Sequence, residues 1–184
     1  MKEAASGESV ITPGFEAVYR EHHGFVWKSV RRLGIADAEV DDVTQDVFVV
    51  VHRRLADFEG RSSIRTWLFS IAYHVVRDRR RSGAARRDRE GKVEPPRPPT
   101  EPDQRLARHR AVVALDDLLA GLDDDQRSTF VMAEVLHMTA PEIATLTEVK
   151  LNTVYSRLRR GRDAFEAALQ RYLELHGGEM PWLS

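Results

Sequence analysis

From Lys150 to Arg162 the chain reads KLNTVYSRLRRGR, with five basic side chains, no acidic one, and four arginines within the last six positions. Guanidinium groups at this density suit a polyanion. Their planar fork grips phosphate oxygens or the O6/N7 edge of guanine, a base contact worth ~1–3 kcal/mol of discrimination. A second group is Thr66, Ser70, Tyr73 and Arg77, spaced i, i+4, i+7 and i+11 and flanked by Trp67, Phe69 and His74. Hydroxyls, rings and guanidinium interleaved on one helix face suit unpaired nucleic acid, where a ring stacked on a base contributes ~1–3 kcal/mol. Catalytic groupings are missing by comparison. With no cysteine there is no thiolate zinc site, thiol nucleophile or disulfide. The pair His22-His23 points to different sides of a helix and has no neighbouring ligands to complete a metal site. No Gly-rich phosphate loop or nucleophile–base arrangement appears. The expectation is a binding protein without catalysis, metal or cofactor.

The elements that must carry these groups are helical. With 184 residues, 42% hydrophobic and 31% charged, the chain can bury a core as one large or two small domains. No apolar run approaches the ~18 residues that span a bilayer, so no membrane insertion and a cytoplasmic location are expected. The net charge of −1 hides segregation: residues 61–92 hold 10 basic and 3 acidic groups, against 7 and 11 in residues 1–60. Residues 82–105 include SGAARRDREGKVEPPRPPTEPD, whose five prolines and scarcity of large apolar side chains predict a linker. It separates a module at 10–81 from one at 106–175, followed by a tail at 176–184 that carries Trp182.

Phe15, Val18, Tyr19, Phe25, Val26, Val30 and Leu33 recur at helical spacing up to Gly34. Asp37 is placed to cap a second helix to about Leu55, and Ser62 a third from Ser63 to Arg81. A further helix ends near Gly121. Asp123 with Gln126, and Thr139 with Glu142, have capping-box spacing. The predicted class is all-α, two small bundles.

Three faces go beyond packing. In the second helix Val40, Val43, Val47, Val50, Val51 and Leu55 form the core stripe, leaving Asp41, Gln45, Phe48, Val49 and His52 on the flank and far side. Either the helix is buried on two sides by its own bundle, or this face docks a partner, apolar at its centre with polar groups giving direction. In the third helix Ile64, Leu68, Ile71, Ala72 and Val75 form the stripe, which turns Tyr73 outward; Trp67 and Phe69 either join the outer face or widen the core. Finally, TAPEIATLTEVK (139–150) with Ile143, Ala144, Leu146 and Val149, followed by the narrow seam Val154, Leu158 and Phe165, describes a helix-turn-helix. Its second helix would bring Asn152, Thr153, Tyr155 and Ser156 to base edges. Arg157, Arg159, Arg160 and Arg162 would divide between bases and phosphates.

DDVTQDVFVVVHRRL, IRTWLFSIAYHVVRDRRR and PEIATLTEVKLNTVYSRLRRGRDAF, in this order across a linker, resemble bacterial sigma-70 family sigma factors, most closely the two-domain extracytoplasmic-function (ECF) subgroup. The resemblance spans roughly residues 12–170. It implies that Asp41, Asp42, Gln45, Asp46 and Phe48, with Val49 and His52 on the same face, meet core RNA polymerase. It implies a sigma-2-like domain in which the Phe58–Ser63 loop, with Arg61 and Ser62, captures an extruded −10 base. Thr66, Trp67, Tyr73, His74 and Arg77 would then line the single-stranded path. It implies a sigma-4-like domain reading the −35 element with Lys150, Asn152, Thr153, Tyr155, Ser156, Arg157, Arg159 and Arg160. It also implies an anti-sigma factor as a partner. Three positions depart from the family: His74 stands where Asn is usual, Glu148 where Gly closes the turn, and Lys150 where Ser caps the reading helix. A plain helix-turn-helix regulator, binding duplex DNA as a dimer, would need neither the docking helix nor the strand-facing one.

Overall fold

In a computed structural model, residues 14–87 and 113–177 are described, and every regular element among them is helical. The helices are α1 (Phe15–Arg32), α2 (Asp37–Arg54), α3 (Ile64–Arg87), α4 (113–120), α5 (Asp124–Phe130), α6 (Ala140–Thr147) and α7 (Leu151–Leu175). The proline-rich part of the expected linker, residues 10–13 and the end of the tail with Trp182 lie outside the described residues.

The first three helices pack around a valine-rich centre. Val26, Val30, Val40, Val43, Val47 and Val51 are wholly excluded from water, each worth ~1.5–3 kcal/mol relative to exposure. Gly34 closes α1 at φ +91°, the left-handed conformation that favours a residue without Cβ. Asp37 does not cap α2. Ala36 occupies the N-cap, and the Asp37 carboxylate sits in the first turn 3.0 Å from Arg31. The cap of α3 is Ser63 rather than Ser62, since the Ser63 hydroxyl accepts from the Thr66 backbone N–H at 3.0 Å. Helix α3 also runs six residues past Arg81, into the segment expected as linker. Arg and Ala are adequate helix formers there, and the prolines that forbid helix begin only at Pro95.

The C-terminal module is built on caps. Arg127 donates to the carbonyls of Leu119, Ala120 and Leu122 at 2.8, 3.0 and 3.0 Å, satisfying acceptors left at the end of α4. Asp123 accepts from Gln126 N–H at 2.8 Å to open α5. A π-turn, Val131–Val135, follows α5. Thr139 and Glu142 form a reciprocal capping box at the start of α6. Helices α5 and α7 cross at Gly161, where Phe130 stacks on Phe165 with centroids 4.8 Å apart. A Cβ on Gly161 would lie 3.3 Å from the Gln126 carbonyl.

The two modules pack together, which the sequence pattern did not anticipate. One contiguous cluster runs from Val18 to Val154 and includes Leu119, Leu122, Met132 and Ile143. Asp116 sits 3.2 Å from Arg31 and 3.9 Å from Arg32, Arg80 pairs with Asp124 at 2.9 Å, and Arg77 reaches Glu148 at 3.5 Å. Burial holds the Asp116 carboxyl above the usual carboxylate range despite the two arginines.

The crossing at Gly161 sets a steric limit. Gly161→Leu is expected to lower stability by about 1–3 kcal/mol through overpacking, measured by urea unfolding. Gly161→Ala should change it by less than about 1 kcal/mol, since helix propensity gained offsets the tight 3.3 Å approach.

Candidate nucleic-acid interface

The docking face on α2 is a groove shared with α1. Phe15, Tyr19 and His23, on successive turns of α1, meet Phe48 and His52: Tyr19 lies 4.7 Å from Phe48 and Phe15 4.8 Å from His52, centroid to centroid. Asp41, Thr44, Gln45, Val49 and Arg53 complete the lining. Phe48 is not presented outward as expected. It is 4% exposed, because the α1 aromatics close over it. Val49, at 44% exposed, is the open apolar residue of α2. Val50 is only half-buried. Asp41 accepts from the Trp27 indole N–H at 2.8 Å, and Asp46 pairs with Arg79 at 3.4 Å; Asp42, Gln45 and His52 lie exposed. Phe15 and Tyr19 were visible in the sequence as part of a helical apolar pattern, but the place of His23 in this stripe and its partner across the groove were not.

On the loop before α3 and along it, Phe58 leans on Trp67 at 5.3 Å, Arg61 pairs with Glu59, and Ser62 and Ser63 lie exposed. Thr66 bonds Ser63 at 2.9 Å, and Ser70 donates back to the Trp67 carbonyl at 2.7 Å. Tyr73 is corrected from an outward to a buried residue, 8% exposed. Phe69 and Val76 are buried as well, while Val75 of the expected stripe is only half-buried. The reason is that α3 has neighbours on more than one side: besides α1 and α2, Asp125 and Arg157 of the C-terminal module act on Tyr73. Burial raises the Tyr73 hydroxyl above its ordinary pKa, and the cation of Arg77 lies 5.8 Å from its ring centroid. Burial, then the Arg77 charge, lowers the His74 pKa from its ordinary value.

The helix-turn-helix forms as its sequence specifies. After α6, Glu148 adopts the left-handed conformation at φ 60°, ψ 35° and donates its N–H to the Ala144 carbonyl. Lys150 is the N-cap of α7 and makes no side-chain cap bond. Val154, Leu158 and Gly161 face inward; Asn152, Tyr155, Ser156, Arg159 and Arg160 face water, and Thr153 is half-buried. Arg157 pairs with Asp125, and Arg162 with Glu134 at 2.7 Å. The sequence reading missed these internal carboxylates. Their signal was present in the Asp123–Asp125 run, which read only as a cap.

Among the described residues no group of three or more histidines and carboxylates is placed to hold a metal, and no helix is long and apolar enough to cross a membrane.

Residues 18–87 match the model for sigma-70 region 2, and residues 113–165 that for sigma-70 region 4. The ECF RNA polymerase sigma factor SigC of Mycobacterium tuberculosis is 30% identical over 152 residues, covering 83% of this chain and 81% of that protein. The sigma factor CnrH of Cupriavidus metallidurans is 28% identical over 178 residues, covering 91% of each. Among solved structures, CnrH in complex with the cytosolic domain of CnrY aligns with TM-score 0.55 at 26% identity, over 85% of this chain and 88% of that one. RpoE of Bartonella quintana, bound to the anti-sigma factor NepR, shares the fold at TM-score 0.61 and 18% identity, over 85% of this chain and 96% of that one.

The capping box has a pH signature. Hydrogen bonds from the Thr139 backbone N–H and hydroxyl depress the Glu142 pKa below its ordinary value. Its contribution is therefore complete above the ordinary carboxylate range and is lost as pH falls through the lower folded value. The protection factors of the α6 amides, each rate being compared with the intrinsic rate at the same pH, should fall on acidification across that window in the native chain, and Glu142→Gln should flatten the response.

Proposed function

The chain belongs to the sigma-70 family, in its extracytoplasmic-function branch, and on that premise we propose how its surfaces divide the work of directing promoter-specific transcription initiation. The protein binds core RNA polymerase and promoter DNA. The observation that carries the residue-level reading is the presence of two chemically distinct open surfaces. One is a groove on α1 and α2 with an aromatic floor and a mixed polar rim of Asp41, Gln45, His52 and Arg53. The other is the basic outer face of α7.

The groove receives core polymerase through Val49, Gln45, Asp42 and His52, with Phe48 forming its floor rather than a protruding anchor. Asp41, held by the Trp27 indole, is the carboxylate on its rim, and Asp46 beside it is paired with Arg79. The loop Phe58–Ser63 takes the flipped −10 base, and Thr66, Trp67, His74 and Arg77 follow the displaced strand. Extruding a base costs a few kcal/mol of unstacking, which ring stacking and phosphate contacts offset. Tyr73 acts on that strand only after the C-terminal module moves off α3, because the module's carboxylates occupy the arginines there. Asn152, Thr153, Tyr155, Ser156 and the arginines of α7 read the −35 duplex, with Lys150 at the phosphate edge. An anti-sigma factor is the natural antagonist, since CnrH and RpoE, similar in fold, are each seen with an inhibitory or cytosolic-domain partner.

Reconstitution with bacterial core polymerase tests this directly: promoter-specific open complexes are expected. A chain that ignored core polymerase and bound duplex operators as a dimer would instead be a simple helix-turn-helix regulator. Val49→Lys should weaken core binding while leaving −35 duplex binding intact. Arg157→Ala should weaken −35 binding by about 5- to 100-fold; unchanged binding would remove Arg157 from the reading surface.

Separation of the modules is a distinct test. The native chain has no cysteine, so paired labels at Asp57→Cys and Glu166→Cys report distance cleanly. The distance should lengthen when core polymerase and promoter are added. An unchanged distance would show that α3 meets DNA without the modules parting.

A further inference from the structure

We propose that Leu151 and Tyr155 form an apolar edge on α7 that recognises thymine methyl groups in the −35 element, an inference that rests on the assignment of α7 as the −35-reading helix. Leu151 is the first residue of α7 and is 40% exposed; Tyr155, one turn later, is 54% exposed. At i and i+4 they share one face. Single exposed apolar residues are ordinary on protein surfaces. Here, however, two of the five large apolar side chains left open among the described residues are neighbours in the first two turns of this helix. Of the others, Tyr19 and Val49 line the α1–α2 groove, and Leu175 ends α7.

The two flanks of α7 differ in chemistry. With Val154, Leu158 and Gly161 facing inward, Leu151 and Tyr155 fall on one side of the exposed face and Thr153 and Arg157 on the other. The Thr153 and Arg157 side faces the Asp123–Asp125 run, and Arg157 is bound to Asp125. On that side DNA must displace Asp125 from Arg157 before the guanidinium can reach a base or a phosphate. On the Leu151–Tyr155 side the pairing of Arg162 with Glu134 falls about two turns beyond Tyr155. In the major groove, the apolar feature that distinguishes a base edge is the thymine 5-methyl. The N-terminal turns of the second helix of a helix-turn-helix lie against base edges. Leu151 and Tyr155 lose water there by meeting a methyl, and Asn152, next to Leu151 and exposed, supplies hydrogen bonds to the same step.

The test starts with the full chain bound to core polymerase and selects −35 sequences from a random duplex pool. Each thymine of the selected element is then replaced by deoxyuridine, which lacks only the methyl. For the native chain, replacement at one or two positions should reduce affinity about three- to tenfold. Leu151→Ala or Tyr155→Ala, with helix content checked by circular dichroism, should bind thymine and deoxyuridine forms equally. The proposal is overturned if the native chain does not distinguish the two bases, if the selected element contains no thymine, or if both variants keep the full discrimination. Failure to enrich any sequence is a different result: it would remove the −35 assignment itself.

Discussion

A guanidinium drawn partly out of water needs an anion or carbonyls beside it, and this requirement holds the two modules of the chain in register. Arg31 and Arg32 converge on Asp116, Arg80 reaches Asp124, Arg77 reaches Glu148, and Arg79 spans Glu39 and Asp46. Arg127 turns to three carbonyls at the end of α4. Apolar burial supplies most of the free energy, but it is tolerant of sliding. Partly buried ion pairs add little net stability while making a misplaced packing expensive, because an unpaired charge would remain behind. The buried Asp116 oxygen and Arg32 nitrogen left without a hydrogen bond mark where that matching is incomplete.

The same pairing sorts the molecular surface into regions with different availability. The α1–α2 groove is open to a partner as it stands. The outer face of α7 is also open, although two of its arginines lean sideways onto carboxylates of their own module. The face of α3 is shared, with Tyr73 enclosed and Arg77 engaged by a residue from the helix-turn-helix turn. The two open surfaces expose their chemistry as the chain stands, whereas on α3 the chain's own second module covers part of the face.

Helical periodicity made the elements legible. The valine stripe of α2, the ends of helices at Gly34 and Gly121, and the Thr139–Glu142 box all follow from local chemistry that a sequence carries in full. The helix-turn-helix was legible for the same reason, since its seam and caps are contained in one short segment. Tyr73 was misjudged because a helical wheel assigns one buried side, while α3 is covered from a second direction by residues distant in sequence; for Phe48 the wheel left two-sided burial of α2 open, and the α1 aromatics supply that second side. Asp37 and Ser62 were misplaced as caps by one residue, which is the scale on which helix ends are decided by tertiary fit. Nothing in local spacing indicated that Glu148 would face Arg77, seventy-one positions away. Gly161 was equally silent: a glycine within a helix looks like a weakness until the partner helix at that point is known.

Glu148 carries a consequence for selectivity. Its left-handed backbone would suit glycine, yet the side chain that glycine lacks is the one that engages Arg77. On the proposed reading, in which Arg77 follows the displaced strand, an arriving phosphate must displace the Glu148 carboxylate, and that displacement is the same whatever bases follow. The result is a constant offset in affinity applied to every DNA sequence alike. It weakens all complexes by one factor and leaves their ranking untouched, so the stringency of promoter binding can be altered at position 148 without rewriting which promoters are preferred.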